Sequence, residues 1–151
     1  MKPRRVYSAA GLVIVVFMGC LGYPGPVFAA ERFTLTTLVA SNEGSEFDLV
    51  NDAYRDQIIR LFSYTAYKQM NQEAVSLDPG IAREIPLHGG YTLYLKLISA
   101  SNHQDRVHAL IKKDDLEYVD TVLAVEKPGV VFLGGPKVSE GDLIIVLEMG
   151  F

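Results

Sequence analysis

The chain predicts an α+β fold: a mainly antiparallel sheet, strongly curved or doubled into a small sandwich, with one helix on one face. Three observations carry this. One segment repeats apolar residues at spacings of three and four, much of the rest alternates with period two, and the order is one strand, one helix, then strands only. A lone helix covers a single face, so the number of strands calls for curvature or a second layer.

The elements follow in order. Phe33, Leu35, Thr37 and Val39 share one face of a strand over residues 33–40, and Ser41-Asn42-Glu43-Gly44-Ser45 is a loop. Leu49, Val50, Ala53, Tyr54, Ile58, Leu61 and Phe62 form the stripe of a helix over residues 47–62. Asp48 is its expected cap, with Asp52 and Asp56 in the early turns, where the helix dipole favours acids. Arg55 and Arg60 beside them predict a salt-bridged outer face. Tyr64, Thr65 and Tyr67 favour extended backbone, so a strand is expected over residues 63–77, interrupted near Asn71. Asp78-Pro79-Gly80 and His88-Gly89-Gly90 are turns flanking a short strand over residues 82–87. Alternation then marks strands through Tyr91–Leu97, Val107–Ile111 and Val119–Val125. Val130–Leu133 and Leu143–Glu148 are continuous apolar runs, as in strands buried on both faces. Gly134-Gly135-Pro136 is the expected tight connection between them.

Before this domain lies a tripartite start. Lys2, Arg4 and Arg5 precede an uncharged run over residues 9–21, then Pro24-Gly25-Pro26 and the small-x-small site Val27-Phe28-Ala29. This predicts a signal peptide over residues 1–29, cleaved after Ala29, and a single β-rich domain over 30–151. The apolar run is short against the roughly 20 residues of a spanning helix, so no membrane span is expected in the mature chain. No Ser precedes Arg4-Arg5, which makes a twin-arginine signal the poorer fit. Cys20 after Gly19 leaves lipidation, as an outer-membrane lipoprotein, as the alternative to a periplasmic or secreted release. With cleavage after Ala29 the mature chain has no thiol, hence no disulfide and no cysteine nucleophile.

Three of the 14 basic residues and none of the 18 acids precede residue 30, so the mature chain carries 11 against 18 and a formal charge of −7. Such a balance excludes nucleic acid as a partner, since phosphate neutralisation needs clustered Lys and Arg. The basic pair Lys112-Lys113 runs at once into Asp114-Asp115 and reads as a charged turn.

Candidate chemistry is sparse. His103, Asp105 and His108 are the densest set of metal or acid–base groups, and a metal-assisted hydrolase would use them, yet nothing in their spacing makes all three converge. His88 beside Gly89-Gly90 reads as a turn residue. Asp114, Asp115, Glu117 and Asp120 offer oxygen ligands but lack the order of a calcium loop, and strict alternation sends Glu117 and Asp120 to opposite faces. Tyr64, Tyr67, Tyr91 and Tyr94 would suit either a ligand platform or ordinary sheet packing, the second being favoured in a chain without Trp. No nucleophile elbow, metal-binding His-Glu-x-x-His or phosphate loop is present. No catalytic residue, metal ligand or cofactor is therefore assigned.

Thr121-Val122-Leu123-Ala124-Val125, then Pro128-Gly129-Val130-Val131-Phe132-Leu133-Gly134-Gly135, ending in Leu143-Ile144-Ile145-Val146-Leu147, resembles a stretch of the secretin family. These outer-membrane channels carry a strand, a Gly-Gly turn and an apolar strand in their barrel region. The resemblance covers about the last 30 residues and implies strand pairing there, with no catalytic residue. Length and arrangement as a whole resemble small exported β-rich bacterial proteins. The expected function is a non-catalytic binding or assembly module of the cell envelope, engaging an envelope or secreted protein through a sheet edge. The alternatives are the hydrolase and a subunit of a surface or filament assembly.

Overall fold

The computed structural model describes residues 29–48 and 54–150. Residues 1–28 of the expected signal peptide, Cys20 among them, lie outside the described residues, as do Leu49, Val50 and Ala53 of the expected helix stripe and Asp52 of its expected first turns. Within them the order is β1 Glu31–Ser41, β2 Phe47–Asp48, α1 Arg55–Leu61, β3 Ala66–Leu77, β4 Ala82–Pro86, β5 Thr92–Ala100, β6 Gln104–Lys113, β7 Leu116–Glu126, β8 Gly129–Val138 and β9 Gly141–Met149. The strands form two sheets, ordered β2-β3-β1-β9-β8 and β4-β5-β6-β7. Every neighbouring pair is antiparallel except β2 with β3. The fold is α+β, a sandwich with one helix.

Two apolar layers result. Between the sheets lie Phe33, Leu35 and Val39 of β1, Leu93, Leu95 and Leu97 of β5, Val107, Ala109 and Ile111 of β6, and Leu143, Ile145 and Leu147 of β9. The opposite face of β1 and β9 supplies Leu38, Ala40, Ile144 and Val146, which pack with Tyr67 beneath Ile58 of α1. Residues 143–147 are thus buried on both faces, the physical meaning of their unbroken apolar run. Val131 and Leu133, expected in the core, are half-buried at the sheet margin.

The structure corrects four local expectations. Phe47 and Asp48, placed at the helix start, pair with Tyr67 and Lys68 as β2, and α1 begins at Arg55 with Tyr54 in the cap position expected of Asp48. Backbone pairing to β3 outweighs a helical pattern this short. Leu61 lies at the helix end with 61% exposure instead of packing on the sheet. Arg55 sits over the Phe47 ring, 4.6 Å from its centroid, where an ion pair was expected. Gly134-Gly135-Pro136 is part of β8, a register irregularity, and the β8–β9 reversal falls at Ser139-Glu140. Gly135 packs closely there: a Cβ would stand 3.1 Å from that of Leu143, which would have to shift by a few tenths of an ångström.

Two bulges position the surfaces. Thr37 pairs with Asn71 while Leu38 pairs with Gln69, leaving Met70 without a partner across β1. Ile111 pairs with Val119 and Lys112 with Glu117, leaving Tyr118 extra on β7. An extra residue resets the period-two alternation beyond it.

Candidate functional site

The histidine set does not assemble. Asp105, with the same parity on β6 as Val107, Ala109 and Ile111, points between the sheets and is fully buried. His108 has the opposite parity and meets Asp120 on the outer face, Nε2 to Oδ1 at 2.6 Å. His103 is exposed in the β5–β6 turn, where its backbone N–H donates to Ser101 Oγ at 3.3 Å. Among the described residues no group of three or more His, Cys, Asp or Glu side chains stands close enough to hold a metal ion. Glu117 and Asp120, expected on opposite faces, both have outer-face partners, His108 for Asp120 and Lys112 for Glu117 at 3.1 Å, because the bulge at Tyr118 resets the alternation.

The tyrosines are dispersed as well. Tyr67 is buried and donates to the Phe62 carbonyl at 2.6 Å, and burial pushes its phenol up from its ordinary pKa. Tyr64 donates to Asp142 Oδ2 at 2.7 Å, and that bond, with burial, raises its pKa too. Tyr91 reaches the Lys137 carbonyl at 3.0 Å and stacks edge-on against Tyr118. Tyr94 lies half-buried on the outer face of the second sheet. These are packing and hydrogen-bonding roles at three separate places.

Sequence reasoning missed the partners of Asp105. Lys127, at the corner where the chain passes from β7 to β8, donates to Asp105 Oδ1 at 2.8 Å and to Glu31 Oε1 at 2.7 Å. Burial works against the ammonium, but the bonds to Asp105 and Glu31 outweigh it and raise the Lys127 pKa. Asp105 Oδ2 is buried and meets no donor among the described residues. One ammonium thus ties the start of β1 to both sheets. The inward parity of Asp105 was the available signal, since a carboxylate in an apolar row requires a buried cation.

What remains open to a partner is an edge. On one side β7 lies against β8, and in the second sheet β4 pairs with β5 alone among the described residues, so its five residues are an edge as well. On the other side β3 is bordered only by the two residues of β2, at Tyr67 and Lys68. Beyond the bulge at Met70, residues 70–77 face no further strand among the described residues. Beside Met70 is a recess of about 150 Å³, lined by Val39, Tyr67, Lys68 and Met70 and by Glu43, Glu46 and Glu140. Glu140 accepts from Ser139 Oγ at 2.6 Å and lies 3.0 Å from His88 Nε2, contacts that hold its carboxyl below the usual range. Glu43 and Glu46 have no side-chain partner among the described residues.

Comparison with protein-family models, curated proteins and solved structures finds no significant match. Among the described residues no helix is long and apolar enough to cross a membrane.

Proposed function

We propose that this chain is an exported, non-catalytic binding or assembly module of the bacterial cell envelope, which takes up an extended segment of a partner protein along β3. The observation that carries the reading is the edge at residues 70–77, a run of backbone donors and acceptors with no strand beside it among the described residues. Such an edge is a template for strand addition, giving affinity through main-chain hydrogen bonds. Met70, Asn71, Gln72, Ala74 and Ser76 along it are exposed, and Glu73 is the single charge in the run. The tripartite start supports export, and the net negative charge of the mature chain supports a protein partner over nucleic acid or anionic lipid.

A photocrosslinking residue placed at Asn71 or Ser76 of β3, and separately at Glu84 of β4 or Tyr118 of β7, tests this in exporting cells. Adducts of one discrete mass are expected from the β3 positions alone. Adducts only from β4 or β7 overturn the reading, and adducts only with further copies of this chain favour the filament alternative. The mass of the exported protein is expected to start at Ala30. An intact N-terminus, or a lipid on Cys20, overturns that part.

A further inference from the structure

The recess beside Met70 lies where the open part of β3 begins, so it receives a side chain from whatever strand adds there. We propose that the incoming segment carries a lysine or arginine at this end, whose aliphatic stem lies on Val39 and Met70 and whose cation meets Glu43 and Glu46. This rests on the strand-addition reading and names the chemistry of its partner. Long cationic side chains suit such a site because they bury methylenes on an apolar floor while keeping the charged tip at a polar rim. The charge balance is one-sided. Lys68 also lines the recess, one cation against Glu43, Glu46 and Glu140. It is exposed and has no ion-pair partner among the described residues.

Three features fix the position. β2 pairs with Tyr67 and Lys68 and so blocks the edge below residue 69. The bulge takes Met70 out of register with β1, and Met70 stands at the recess with 36% exposure. Side chains of an added strand alternate between faces at about 3.3 Å per residue, so one residue near its end is directed to the recess. The partner is therefore an extended segment with a basic residue at one end. An acidic residue there meets like charge and is rejected.

The test uses the mature chain, isotope-labelled for amide shifts, with capped hexapeptides of alternating Val and Thr as probes. Each peptide carries Lys, norleucine or Glu at one end, in both orientations. Shifts at residues 70–77 are expected with the Lys and norleucine peptides, the Lys peptide binding about fivefold more tightly, the size of a rim ion pair. Replacing both acids, Glu43→Gln with Glu46→Gln, is expected to abolish that preference and leave norleucine binding unchanged. Equal binding of the Lys and norleucine peptides, with shifts at 70–77, overturns the basic-residue inference and leaves strand addition standing. No shift at 70–77 with any peptide overturns both.

Discussion

The two sheets are built on the same alternation but treat their outer faces differently. In the five-stranded sheet the outer row of β1 and β9, Leu38, Ala40, Ile144 and Val146, is apolar and lies beneath Ile58 and a rim of aromatics, Phe47, Tyr54, Phe62, Tyr64 and Phe132. In the four-stranded sheet the outer row of β6 is Arg106, His108, Leu110 and Lys112, facing Ala124, Val122, Asp120 and Glu117 on β7. No helix covers it. A short helix in a chain of this length roofs one sheet, and the other must carry a face that water accepts. The apolar side chains on that face, Tyr94, Leu110 and Val122 among them, are interspersed with Arg106, His108, Lys112, Glu117 and Asp120.

The sharpest way to break this arrangement lies where charge ties the sheets together. Lys127→Met leaves Asp105 buried without its cation and is expected to cost about 3–5 kcal/mol in denaturant unfolding. Adding Asp105→Leu to that variant should recover most of the loss, because the orphaned charge is gone. The ammonium pKa is raised in the folded state, so its contribution is complete below the unfolded value of about 10.4 and is lost as pH rises through the folded value. The stability gap between the natural chain and Lys127→Met should accordingly stay level from neutrality to about pH 10 and shrink above it.

Next in size is the contrast between the faces themselves. Ile144→Ala, under the helix, is expected to cost about 2–5 kcal/mol, whereas Val122→Ala on the open face should stay within about 0.5 kcal/mol. Similar losses at both sites would show that the second face is also covered in solution. Gly141→Ala comes third. Its φ of +155° and the approach of the Ala40 carbonyl oxygen leave no room for a methyl group, and a cost of about 1–3 kcal/mol is expected at the β8–β9 reversal. The smallest effect is His108→Ala, which removes an exposed pair with Asp120 worth roughly 0.2–1 kcal/mol and should fade further in salt.

Much of the fold was legible because burial leaves a periodic trace. The inward row of β1, the alternation of β5, β6 and β7, and the two-faced run of β9 were all visible as patterns of apolar spacing. So was the reversal at Asp114-Asp115, where Asp114 adopts the φ of +55° that a tight hairpin turn needs. The candidate site was far less legible. Its edge depends on where β2 borders β3, at Tyr67 and Lys68 among the described residues, and its recess on a bulge at Met70, neither of which is a property of one segment.

By itself, then, the sequence determined the class, nearly every strand, and which face of each is apolar, since these follow from local periodicity and transfer of apolar surface from water. Only the tertiary structure decided that Phe47 and Asp48 extend a sheet, that Gly134-Gly135-Pro136 continues β8, that Glu117 and Asp120 share a face, and that Asp105 and Glu31 meet on Lys127. Each of these depends on the register between segments far apart in the chain. A single added residue or a single distant cation changes such an outcome without altering the local pattern from which it would be read.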